Sequence, residues 1–208
     1  MNGYVKSNFL RQSVLAFTGM PLLIWALGSF PARPVLNESL SVITILVFSQ
    51  MIGQFFWART NRAAVADLRM RKIIKYHKII GYTFVIVLLF HPVLVVVPKF
   101  FESGVAPADA FVTMITTLNQ GVVLGITAWC LLLILGITAL VRKKLPMKYE
   151  TWRVFHGILA ILFILIAAWH VIDLGRYSSP AMSIFITLLT TGGVWLTGKQ
   201  YLLKMFKK

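Results

Sequence analysis

Apolar residues run along this chain in six long blocks, separated by short polar connectors or connectors marked by proline and glycine. The blocks extend approximately from Ser13 to Phe30, Leu40 to Trp57, Ile73 to Pro98, Asn119 to Val141, Trp152 to Leu174 and Pro180 to Leu203. Each is close to the ~20 mostly apolar residues that a helix needs to cross a hydrocarbon layer. Connectors such as Pro31 to Glu38 and Glu102 to Asp109 are too small to fold alone. The pattern therefore predicts an all-α integral membrane protein, a bundle of six transmembrane helices forming one domain over residues 1–208. The first block, ending Gly28-Ser29-Phe30-Pro31-Ala32-Arg33, also reads as a cleavable signal peptide. Cleavage would leave five spans and still keep the C-terminal tail inside.

Composition agrees: 58% of the 208 residues are hydrophobic and the mean hydropathy is +0.80, against roughly half apolar residues in a soluble domain. The formal net charge of +15 would suggest nucleic acid for a soluble protein. Here its distribution gives orientation instead. With six spans, one side receives the N-terminal Lys6 and Arg11, the second loop (Arg59 to Lys78), the fourth loop (Arg142 to Arg153) and the tail lysines. Only Arg33, Lys99 and Arg176 of the 21 cations fall on the other side. The positive-inside rule thus predicts cytoplasmic termini and a multi-pass protein of a cell membrane, the bacterial inner membrane being the expected one. Its partner is the lipid bilayer, and no nucleic acid is expected.

The chain has four histidines, His77 and His91 in the third block and His156 and His170 in the fifth. Each pair is 14 residues apart, about 40° short of four whole helical turns, so both imidazoles leave nearly the same face ~21 Å apart. That rise is most of the ~30 Å hydrocarbon thickness. Neither pair can share one metal. The third and fifth spans run in the same direction, so His77 should face His156 and His91 should face His170. Two facing imidazoles in apolar surroundings suit a low-spin haem iron, with one nitrogen on each side of its plane. Gly81, one turn from His77, and Gly157, next to His156, would let a flat macrocycle lie on the backbone. Aromatic residues precede all four histidines, a weak internal repeat. Arg153 and Lys75 are placed for the propionates of an inner haem, and Arg176 and Tyr177 for those of an outer one. As alternatives, these cations set topology or snorkel.

Other chemistry is thin. The single Cys130 excludes an intrachain disulfide, a Cys-x-x-Cys-His haem attachment and a four-cysteine cluster. Gln50, Gln54, Asn119 and Gln120 could hold a quinone headgroup or make interhelical hydrogen bonds. A histidine-based metal or proton transporter is the reading from another class. It would need carboxylates at membrane depth, whereas Glu38, Asp67, Glu102, Asp109, Glu150 and Asp173 map to loops or span ends, Asp173 lying three residues beyond His170.

The segment from Tyr76-His77-x3-Gly81 to His91, and Lys148-Tyr149-Glu150-Thr151-Trp152-Arg153-Val154-Phe155-His156 continuing to His170, resembles the ferric reductase transmembrane domain. That superfamily includes NADPH oxidases, ferric reductases and the haem subunit of the periplasmic methionine sulfoxide reductase system. The likeness runs from about Leu40 to Leu203. It implies two stacked, non-covalent b-type haems of the cytochrome b kind, held by His77, His91, His156 and His170. It also implies electron transport from a cytoplasmic donor to ferric iron, oxygen or a redox protein outside, the membrane part of an oxidoreductase. The sequence has no Gly-x-Gly-x-x-Gly cradle, so the expected donor is a separate flavin reductase carrying FMN or FAD, or a membrane quinol. A quinol-linked haem subunit is the alternative within this chemistry.

Overall fold

The computed structural model describes residues 8–101, 104 and 106–205, with side chains described as far as Lys199. Lys6, Glu102, Lys207 and Lys208 lie outside the described residues, as does the side chain of Lys204. The described chain is all-helical, with six helices long and apolar enough to cross a membrane: Asn8–Leu27, Val35–Phe56, Met70–Phe100, Gln120–Leu140, Tyr149–Leu174 and Pro180–Lys199.

Local sequence sets the ends. The first helix stops at Leu27, short of the expected Phe30, because Gly28 turns extended and Pro31 and Pro34 follow. Pro34 then caps the second helix, which starts at Val35, so Glu38 sits in a helical first turn rather than in the connector. A carboxylate there faces the positive end of the helix dipole. Asn119 caps the fourth span by accepting a hydrogen bond from the Val122 amide at 2.9 Å, a role that uses its oxygen locally. Two shorter helices lie between the spans. Arg62–Leu68 is capped by Asn61 and joined to the third span through Arg69, whose φ of 65° makes the sharp corner. Pro107–Thr116, begun by its own proline, occupies much of the third connector.

Spans two to six form a closed ring in the order two, three, four, five, six, with the first span outside against the second and sixth. Spans three and five are not packed helix against helix; they face each other across the ring, with span four beside both. Phe48, Met51, Ile52, Leu132, Phe163, Ile164 and Ile186 are buried in the shared core. The first span contains a π-turn, Leu15–Gly19, just before Pro21. Proline has no N–H for the carbonyl four residues back, that of Phe17. Gln50 supplies the missing donor from the second span, its Nε2 donating to the Phe17 carbonyl at 3.1 Å and to Thr18 Oγ1 at 2.9 Å. Interhelical bonding therefore accounts for Gln50.

Candidate functional site

The third span runs as one helix through His77 and His91 despite Pro92 inside it. Proline leaves the Leu88 carbonyl, four residues back, without its helical donor, and at the next residue Trp129 of the fourth span donates its indole N–H to the Leu89 carbonyl at 2.9 Å. That bond ties the fourth span to the third beside His91.

All four histidines are half-buried. His91 and His170 stand close enough to interact electrostatically, and so do His156 and His77. Two imidazole pairs therefore lie at two levels of the bundle, each joining span three to span five. His170 is the best anchored: its Nδ1 lies 2.8 Å from the carbonyl of Gly121. A carbonyl can only accept, so Nδ1 carries the proton and Nε2 keeps its lone pair, the form in which imidazole binds a metal. The Nδ1 atoms of His77, His91 and His156 are buried without a hydrogen-bond partner among the described residues. At His77 the carbonyls of Gln54 and Trp57 approach the ring but reach no hydrogen-bonding geometry.

Gly81 faces the second span, where an added Cβ would stand 3.5 Å from Gln54 Oε1. Gly157 is buried. Two glycines of the fourth span, which hydropathy alone does not mark, are in tighter contact than Gly81. A Cβ on Gly125 would stand 2.7 Å from Cε1 of His170, and one on Gly121 would overlap Leu174 and Asp173. Their spacing, Gly121-x3-Gly125, is the small-residue signal for close helix contact in membranes. It brings the fourth span against the fifth and places the Gly121 carbonyl on His170.

The basic end of the bundle carries an aromatic stack. Trp152 lies on the His156 ring, centroids 4.9 Å apart and planes at 28°. Tyr149 lies on Trp152 at 6.0 Å and 18°. The aromatics immediately before the histidines behave differently: Phe90 and Trp169 are more than half exposed, and Tyr76 packs on Trp57 at 5.4 Å. Beneath His77, Trp57, Ala64, Leu68 and Ile73 form a second small core. Gln54 is buried, and neither end of its amide has a partner among the described residues. Arg153 is half-buried and engaged. Lys75 is exposed.

At the opposite end Arg176 donates to the Pro31 carbonyl at 2.6 Å and lies over the Tyr177 ring, while its Nε has no partner among the described residues. Tyr177 is buried against Phe30; burial pushes its phenol above the ordinary range, and Glu38 beside it adds to the effect. Glu38 accepts from the Trp25 indole at 2.9 Å. These contacts tie the first two spans to the turn after the fifth. Among the described residues no three His, Cys, Asp or Glu side chains converge as a metal cage would require.

Residues 43–167 match the family described as ferric reductase like transmembrane component, a stretch holding His77, His91 and His156. A protein of Archaeoglobus fulgidus, described as uncharacterized, is 43% identical over 159 residues, covering 76% of this chain and 87% of that one. No solved structure matches the chain. With an all-helical bundle of six candidate spans and a match over more than half its length, this multi-pass membrane protein belongs to the ferric reductase-like transmembrane component family.

Proposed function

We propose that the chain is a transmembrane electron-transfer protein that holds two b-type haems, His77 and His156 binding the inner one and His91 and His170 the outer. The observation that carries this reading is the pairing of imidazoles from two spans that face each other without packing helix on helix. The donor set fits the group. Each level offers two nitrogen ligands, three rings have buried nitrogens without partners, and His170 is held in its metal-binding tautomer. When bound, each haem iron supplies one-electron chemistry between its ferric and ferrous forms.

The protein's own residues do the rest. The Gly121 carbonyl fixes the His170 ring by accepting a hydrogen bond from its Nδ1–H. Gly125 admits that ring to the fourth span. Arg153 at the basic end and the free Nε of Arg176 at the other offer cations to haem propionates. The apolar core between the two levels, Phe163 and Ile164 among its residues, keeps water and free ions from crossing.

Electrons pass from a cytoplasmic donor, a separate flavoprotein, to ferric iron, oxygen or a redox protein outside, across a cell membrane whose cytoplasmic face is the basic one. A quinol donor is favoured by one observation, the buried, unpartnered amide of Gln54, whose Oε1 faces Gly81 one turn from His77.

The test is transport in sealed vesicles carrying the purified protein. With a membrane-impermeant reductant added on the side of the basic loops, ferricyanide in the opposite compartment should be reduced. Protein-free vesicles should not support the reaction. Vesicles containing the haem-loaded protein that never reduce ferricyanide would refute transmembrane transfer.

A further inference from the structure

The stack on His156 leads out of the membrane. Tyr149, the first residue of the fifth span, is 43% exposed, and behind it come Trp152 and then the His156 imidazole. Two guanidiniums frame the exposed ring. Arg59, after the second span, donates from Nη1 to the Tyr149 hydroxyl at 2.9 Å. Arg142, after the fourth, lies over Tyr149 at 4.6 Å and over Trp152 at 5.2 Å. Arg59 also lies over the Tyr149 ring at 6.0 Å and donates from Nε to the Met70 sulfur at 3.4 Å. Neither guanidinium is paired with a carboxylate among the described residues. Three separate segments thus converge on one aromatic ring with two uncompensated charges.

Topology signals and lipid phosphates need only exposed cations near the interface, which Lys143, Lys144 and Lys148 already supply. They do not require rings stacked from the surface to a histidine. We propose that Arg59, Arg142 and Tyr149 form the docking surface for an acidic redox protein, and that Trp152 is the bridge by which its electron reaches the inner site. This rests on the di-haem reading. With haem bound, the one electron lost by the reduced donor would be taken up at the inner site that His77 and His156 would hold. Any proton of the donor goes to the inner solution, and Trp152 is itself neither oxidised nor reduced. Replacing Trp152 by an aliphatic side chain opens a gap at the ring contact, and tunnelling falls off exponentially with such gaps.

The probe is flavodoxin, an acidic flavoprotein, and the protein is held in nanodiscs of zwitterionic lipid. Oxidised flavodoxin should bind at low ionic strength, to haem-loaded and haem-free protein alike. R59Q/R142Q should weaken that binding about tenfold, whereas K143Q/K144Q, which removes the same charge nearby, should weaken it far less. W152L should leave binding and haem content unchanged and slow haem reduction by flavodoxin hydroquinone severalfold. W152F should recover most of the rate. Absence of binding to the wild type, or equal loss in the lysine control, overturns the docking surface. A wild-type reduction rate in haem-loaded W152L overturns the bridge. Protein that binds flavodoxin but no haem would refute the di-haem reading and leave the docking result standing.

Discussion

Haem content should fall from two to about one per chain when His91 is replaced by Ala, an expectation resting on local loss within a packed bundle. His91 and His170 are electrostatic neighbours, and so are His156 and His77. The second level is ~21 Å along the same helix, too far for its own ligands to be disturbed directly. The surviving inner haem should still be reduced from the basic side, while delivery to an acceptor on the far side should stop. His170→Ala should behave in the same way. His77→Ala and His156→Ala should instead block entry. Combining His91→Ala with His156→Ala should leave neither level intact. A double variant that keeps one spectrally normal haem would mean that the pairing is crossed.

The second large effect is expected at a residue that binds nothing. Gly125→Val puts a β-carbon 2.7 Å from Cε1 of His170, closer than such contacts allow, with two methyl groups beyond it. Either the ring leaves its place and loses the Gly121 carbonyl, or the fourth and fifth spans separate. Overpacking of this kind costs about 1–3 kcal/mol, so the variant should melt earlier in detergent and lose the outer haem while keeping the inner one. Gly198→Ala is the control, because a Cβ there meets nothing within 4 Å. Thermal unfolding with haem absorbance as the second signal separates the two. An outer haem retained at wild-type affinity in Gly125→Val would show that the close contact is not needed.

The length of the apolar blocks made the six spans legible in the sequence, because bilayer thickness dictates that quantity directly. The 14-residue histidine spacing was legible for the same reason, since helical geometry converts it to one face and two depths. Helix ends were read less well where capping chemistry decided them. Pro34 starts the second helix at Val35, earlier than hydropathy suggested, and Pro107 starts a helix in what reads as a connector. The aromatic residue before each histidine was a poor guide, because neighbours on a helix diverge by about 100°. The ring that touches His156 belongs to Trp152, one turn earlier. Gly121 and Gly125 were missed although their spacing is a membrane packing signal. Their contact with His170 is tertiary, and only the pairing of spans four and five reveals it.

The central claim is that these four histidines hold two haems, and the most direct measurement is the dithionite-reduced minus oxidised absorption spectrum of the purified protein, with haem counted per chain. The account predicts a red protein with the sharp reduced bands of bis-imidazole haem and two haems per chain. A colourless protein, or one whose full haem content survives replacement of all four histidines by alanine, would contradict it.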